Sequence, residues 1–130
     1  HEVSIGDTIG VASPKQVRSL LAKLKRRVPL KKIALHFHDT RGTALANVLA
    51  GLDLGVRTFD SSFGGLGGCP YAKGASGNLS TDDLLYMLHG MGFKTGVDLS
   101  KLLSFSAVIQ KEVGHKLPSR TAEAGLPLLR

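Results

Sequence analysis

The chain carries one cysteine, Cys69, and no tryptophan. A lone thiol closes no internal disulfide and builds no cysteine cage for zinc, so neither device holds this fold together. Aromatic residues make up only 5% of the 130 residues. The densest basic run, Lys23, Lys25, Arg26, Arg27, Lys31 and Lys32, contains no stacking side chain, which argues against a nucleic-acid partner despite the formal net charge of +7. That charge is read as a solvated helix face or a surface attracting anionic small molecules such as phosphorylated cofactors. No apolar stretch approaches the ~18 residues of a membrane span, so no membrane partner is expected. No secretory segment is read from His1 onward. What is present, 42% hydrophobic residues and 21% charged residues, is the composition of one folded domain.

Glu2 to Thr8 alternates polar and apolar residues, as a strand does. Ser13-Pro14-Lys15-Gln16 announces a helix with a capping box and proline at its first position, and Val17, Leu20, Leu21, Leu24 and Val28 form its apolar stripe. After Pro29, Ile33 to His38 reads as a second strand. The helix that follows has Leu45, Val48, Leu49 and Leu52 as its stripe and Gly55 as its stop. Val56 to Phe63 is a third strand, succeeded by a glycine-rich loop from Gly64 to Asn78. Ser80 caps a further helix with Asp82 and Asp83 in its first turn, and a last helix runs from Leu99 to Val113. Residues 1–117 are expected to form the ordered unit and residues 118–130 an irregular tail. Repeated strand–helix units predict an α/β fold with a parallel sheet. Three parallel strands leave two unpaired edges, and a (β/α)8 barrel uses ~250 residues, so the chain is expected to be part of a longer one.

His36 and His38 stand one residue apart on a strand, so both imidazoles leave the same face while Ile33, Leu35 and Phe37 share the other. Two readings stay open: a pair of metal ligands, or polar residues satisfied in the core or lining a mouth. Cys69 sits in a loop with glycine at Gly64, Gly65, Gly67, Gly68, Gly74 and Gly77, able to fold over a bound substrate. A buried apolar role competes with a reactive one for this thiol. The loop lacks the Gly-Lys-Ser/Thr ending of a P-loop. Asp39 and Thr40 are read as capping the next helix. Asp60, Ser61 and Ser62 stand where they could hydrogen-bond behind metal ligands.

Gly-Asp-Thr-Ile-Gly from Gly6, His-Phe-His-Asp-Thr from His36, and Gly-Leu-Gly-Gly-Cys-Pro-Tyr-Ala-Lys-Gly-Ala-Ser-Gly-Asn ending at Asn78 resemble the C-terminal part of the 3-hydroxy-3-methylglutaryl-CoA lyases. The likeness runs over about residues 1–117. It implies the C-terminal portion of a (β/α)8 TIM barrel, about strands six to eight with the terminal helices. The activity implied is metal-dependent retro-Claisen cleavage of 3-hydroxy-3-methylglutaryl-CoA to acetyl-CoA and acetoacetate, the chemistry of leucine degradation and ketone body formation. By the same resemblance His36, His38 and Asn78 are ligands of a divalent metal, Mg2+ or Mn2+. Cys69 is then the catalytic thiol, His36 a catalytic contact, and Asp7 an acidic catalytic or substrate-supporting group. Coenzyme A enters as part of the acyl-CoA substrate; for Lys73 two readings stay open, contact with its phosphates or simple solvation. The family's first strand brings an Arg-Asp pair with no counterpart in this chain, so the 130 residues alone are expected to be inactive. A homodimer of the complete enzyme, in bacterial cytoplasm or the mitochondrial matrix, is also implied. The competing enzymatic reading is a related Claisen synthase or aldolase, of the isopropylmalate or homocitrate synthase kind, that does not need Cys69. The non-enzymatic one is a basic binding module.

Overall fold

The computed structural model describes residues 1–68 and 77–127. Strand β1 (Val3–Asp7) leads into helix α1 (Pro14–Leu24), strand β2 (Ile33–Phe37) into helix α2 (Ala44–Leu54), and strand β3 (Thr58–Asp60) into helix α3 (Thr81–Gly90). The sheet order is β1-β2-β3 with both pairings parallel. The expected α/β class with a parallel sheet is therefore what the chain adopts. Parallel strands put all their C-terminal ends on one side of the molecule, and this end carries the candidate site.

The register aligns Gly6 with His36 and His36 with Asp60, and on the opposite face Ile5 with Leu35 and Leu35 with Phe59. Helices cover the second face. Val17 and Leu21 of α1 and Ala44, Val48 and Leu52 of α2 pack with Ile33, Leu35 and Phe37 into one core. Gly51 sets the depth of α2, because a Cβ there would lie 2.8 Å from Leu35 Cδ1 and 3.1 Å from Phe59 Cε1. The stripes read from the sequence are narrower in the fold: Leu20 and Leu49 are exposed. Each lies at the margin of its stripe, where the three-stranded sheet gives no further surface to cover it.

Local chemistry explains the boundaries. Gln16 accepts from the Ser13 backbone N–H at 2.9 Å, the reciprocal half of a capping box, and Pro14 opens α1. Gly55 ends α2 in the left-handed conformation, φ 104°. Strand β3 is shorter than the eight residues read from the sequence. Val56 N–H bonds the Gly51 carbonyl, and Arg57 Nη1 donates to the Leu52 and Val56 carbonyls, so these two residues belong to the turn that leaves α2. Beyond Asp60 the chain curls into a 3-10 turn, Phe63–Gly65.

Two expectations about the last third need correction. The single helix read over Leu99 to Val113 is two, α4 (Leu99–Leu103) and α5 (Ser106–Val113). Ser104 Oγ donates to the Lys101 carbonyl at 2.7 Å, a side-chain bond that competes with helix continuation. The tail from residue 118 is not irregular throughout, for it contains α6 (Arg120–Ala124). Leu117, Ser119 and Thr121 are buried. Asp83 fixes the start of α6: its carboxylate accepts from Ser119 Oγ at 3.2 Å, Arg120 N–H at 3.2 Å and Thr121 N–H at 2.7 Å. No described helix is long and apolar enough to cross a membrane.

Candidate active site

The Nε2 atoms of His36 and His38 lie 3.2 Å apart. His36 is the last residue but one of β2 and faces away from the core, as alternation requires. His38 leaves the parallel ladder and instead forms an antiparallel bridge with Asn78. That bridge is framed by Leu79 N–H bonding the Phe37 carbonyl at 3.0 Å and Asp39 N–H bonding the Gly77 carbonyl at 3.1 Å. Asn78 is thus delivered next to His38 from 40 positions further along the chain.

Each imidazole is differently held. His38 is buried and His36 is one-third exposed. Burial, first of all, lowers the His38 pKa from its ordinary value; the neighbouring His36 lowers it further, and Asp7 works in the opposite direction. The neutral form, with a free lone pair, is therefore favoured near neutral pH. Behind His36, Asp60 Oδ2 stands 3.5 Å from Nδ1. A carboxylate there favours the proton on Nδ1 and leaves the Nε2 lone pair directed at His38. Two nitrogen donors ~2.1 Å from one cation, at a right angle, stand about 3 Å apart, so the observed pair fits joint ligation. Among the described residues no group of three or more His, Cys, Asp or Glu side chains converges on one point; the third donor available is the amide of Asn78.

Asn78 Nδ2 donates to the Leu66 carbonyl at 3.0 Å. A carbonyl only accepts, so this bond decides which end of the amide is nitrogen; Oδ1, the end able to donate a lone pair to a cation, has no hydrogen-bond partner among the described residues.

Asp7, read from the sequence as a catalytic or substrate-supporting acid, is the last residue of β1, at the same end of the sheet as the histidines. Its register partner is Phe37, one step off the face that carries His36. Its oxygens accept from Val11 N–H at 2.9 Å and Ala12 N–H at 3.0 Å, tying down the β1–α1 loop, and it reaches His38 only through its field. Asp39 plays the capping part read for it, accepting from Ala44 N–H at 2.9 Å at the start of α2. Cys69 and Lys73 lie outside the described residues. The flanks of their loop meet: Gly77, at φ 95°, packs so that a Cβ would strike the carbonyl oxygens of Gly65 and Gly67.

Some contributors escaped the sequence reading. Arg41 Nη1 donates to the Ile9 and Gly10 carbonyls at 3.1 and 2.8 Å, joining the β1–α1 loop to the β2–α2 loop. Asp82, read only as a favourable charge at a helix start, is fully buried, and its Oδ2 accepts from Gly64 N–H at 2.6 Å and Ser80 Oγ at 3.1 Å. No pattern in the sequence marks either long-range partner. The basic run from Lys23 to Lys32 is exposed where α1 ends and β2 begins, at the end of the sheet opposite the histidines. It therefore does not flank a ligand bound at this site.

A parallel α/β unit with a His-x-His strand and an amide at its C-terminal end defines a class, and the chain belongs to the HMGL-like family, whose model matches residues 1–109. Among particular proteins it is similar to the hydroxymethylglutaryl-CoA lyase of Bacillus subtilis, 56% identical over 94% of this chain and 41% of the relative. It is 52% identical to the human mitochondrial hydroxymethylglutaryl-CoA lyase over 95% of this chain and 38% of the relative. A solved HMG-CoA lyase from Acinetobacter baumannii, in complex with coenzyme A and 3-methylmalate, superimposes with a TM-score of 0.91 at 41% identity, covering 100% of this chain and 44% of that one. The chain spans about two fifths of the length of the curated relatives it matches.

Proposed function

We propose that this chain supplies the metal-binding strand and the thiol loop of a carbon–carbon lyase that cleaves 3-hydroxy-3-methylglutaryl-CoA to acetyl-CoA and acetoacetate. The observation that supports it most is the 3.2 Å approach of two Nε2 atoms beside Asn78, at the C-terminal end of a parallel sheet. In this reading β1, β2 and β3 are strands six to eight of a (β/α)8 barrel, and residues 1–117 are its C-terminal part, with α6 (Arg120–Ala124) held against α3 by Asp83. Among the described residues β1 and β3 each pair on one side only, which supports a place in a larger closed sheet, since a barrel leaves no edge.

His36 and His38 through Nε2, and Asn78 through Oδ1, would hold a divalent cation. Their mixed nitrogen and oxygen donors suit Mg2+ or Mn2+ in a site completed by other oxygens. When bound, such an ion supplies Lewis-acid polarisation of the substrate's hydroxyl and carboxylate oxygens. His36, the more exposed member of the pair, would lie nearest the substrate hydroxyl, and Asp60 behind Nδ1 favours the tautomer that leaves Nε2 to the cation. The hydroxyl proton would pass to a carboxylate, for which Asp7 is the candidate, as the carbon–carbon bond breaks and the hydroxyl carbon becomes the acetoacetate carbonyl; the departing thioester enolate takes up a proton at carbon. We assign that delivery to the Cys69 thiol, and to Asp7 the shaping of the β1–α1 loop beside the site, with an electrostatic bias on His38. The partner is an acyl-CoA, and a homodimer is the expected assembly.

The test is acetyl-CoA release from 3-hydroxy-3-methylglutaryl-CoA by the full-length protein with Mg2+ or Mn2+. Cys69→Ser should cripple turnover while bound metal is retained. No cleavage by the unsubstituted protein would overturn the proposal. Unchanged turnover in Cys69→Ser would remove the thiol and turn the assignment toward a synthase or aldolase.

A further inference from the structure

The Leu66 carbonyl receives two donors: Asn78 Nδ2 at 3.0 Å and Ser62 Oγ at 2.5 Å. Next to it, Gly67 adopts φ 105°, and a Cβ there would stand 2.5 Å from Asn78 Nδ2. The Leu66–Gly67 segment is thus a cradle shaped to one end of one amide. Its carbonyl accepts the nitrogen, and its missing Cβ leaves the nitrogen room. Ser62 is itself well anchored. Its N–H bonds the Leu79 carbonyl at 3.0 Å, its carbonyl accepts from Thr81 N–H at 2.8 Å, and it bridges to Ser80. The hydroxyl therefore pins Leu66 from a strand end that is fixed on both sides.

We infer that Ser62 and Gly67 are positioning residues that set the orientation of the Asn78 amide and so present Oδ1, rather than Nδ2, to a divalent cation. This rests on the reading of Asn78 as a ligand. An unrestrained amide rotates about its last bond, and about half of its orientations turn an N–H2 group, a donor with no lone pair to give, toward the cation. The Leu66 carbonyl removes those orientations, and Ser62 holds that carbonyl where the amide needs it. Outer partners of this kind commonly govern metal affinity as strongly as some ligands do.

The experiment is Mn2+ binding by calorimetry to the full-length protein, with no substrate present and with thermal melts of every variant. Ser62→Ala should weaken Mn2+ binding about tenfold, and Ser62→Thr, which keeps the hydroxyl, should restore most of it. Gly67→Ala should weaken binding at least as much. Ser104→Ala removes a hydroxyl between α4 and α5 that donates to the Lys101 carbonyl at 2.7 Å and has no part in the site, so it should leave the affinity unchanged. In an Asn78→Asp background both side-chain oxygens are equivalent donors and no N–H needs a cradle, so Ser62→Ala should add nothing further. Asn78→Ala tells the two levels apart. If it weakens binding while Ser62→Ala does not, the positioning role is overturned and the ligand stands. If neither variant changes the affinity, both fall. An equal loss from Ser62→Ala in the unsubstituted protein and in the Asn78→Asp background would make the serine merely structural and would also overturn the inference.

Discussion

His38 shows how one residue's surroundings set its chemistry. Its pKa is lowered, chiefly by burial, so the unfolded chain binds a proton more readily than the folded one. Stability then rises with pH across the interval between the lowered folded value and the ordinary value of about 6.5. Acidification of the metal-free protein should begin to destabilise it near pH ~6.5, with the loss complete below the folded value. Urea melts at a series of pH values check this, and His38→Gln should flatten that part of the profile. At Gly77 the demand is steric. An alanine there would meet the carbonyl oxygens of residues 65 and 67 in a left-handed conformation. We expect Gly77→Ala to cost about 1–3 kcal/mol, from strain and displaced backbone together, and to separate the two flanks of the glycine-rich loop. The first is read by thermal melts and the second by faster proteolysis within the loop. The His-x-His pair and its common face were legible in the sequence because strand alternation is a local rule. Asp7 was legible as an acidic group near the site, but not as a loop anchor, because its partners at positions 11 and 12 depend on how the chain turns after β1.

Elements meet in this molecule through a few close contacts whose partners lie far apart in sequence. Helix α2 sits low on the sheet because Gly51 has no side chain. Gly51→Val would overpack Leu35 and Phe59 and should destabilise by about 1–3 kcal/mol, measured by chemical denaturation. Helix α3 holds the C-terminal segment through one carboxylate, Asp83, with three donors. Asp83→Ala should leave those donors unmet at a cost of about 1–3 kcal/mol. It should also accelerate amide exchange selectively in α6, leaving the β2 amides protected. Helix starts were readable from Ser13 and Ser80, and a helix stop from Gly55, since a cap is a short-range signal. The break between α4 and α5 and the folding of the tail were not. Both depend on hydrogen bonds that compete with local propensity or come from another helix.

For the molecule as a whole, the parallel order of the strands collects His36, His38 and Asn78 at one end and sends the basic run to the other. Replacing Lys25, Arg26 and Arg27 together by glutamine in the full-length protein should therefore leave KM for the proposed acyl-CoA substrate within about twofold, since the length of β2, about 16 Å, separates these charges from the histidines by more than a Debye length of ~8 Å at physiological salt. On the proposed function, the 130 residues alone should show little or no lyase activity in the same assay, because among the described residues β1 and β3 each pair on one side only.

The sequence by itself determined the class of fold, the helix caps and the face shared by the two histidines. Each follows from spacing along the chain, where the periods of strand and helix decide which side chains are neighbours. Only the tertiary structure decided that the two imidazoles meet at Nε2, that Asn78 arrives beside them, that Asp60 backs His36, and which end of the Asn78 amide is free. Those relations join residues separated by turns whose direction is fixed by packing and by distant hydrogen bonds. No run of adjacent residues encodes a meeting of that kind; it is settled when the core closes.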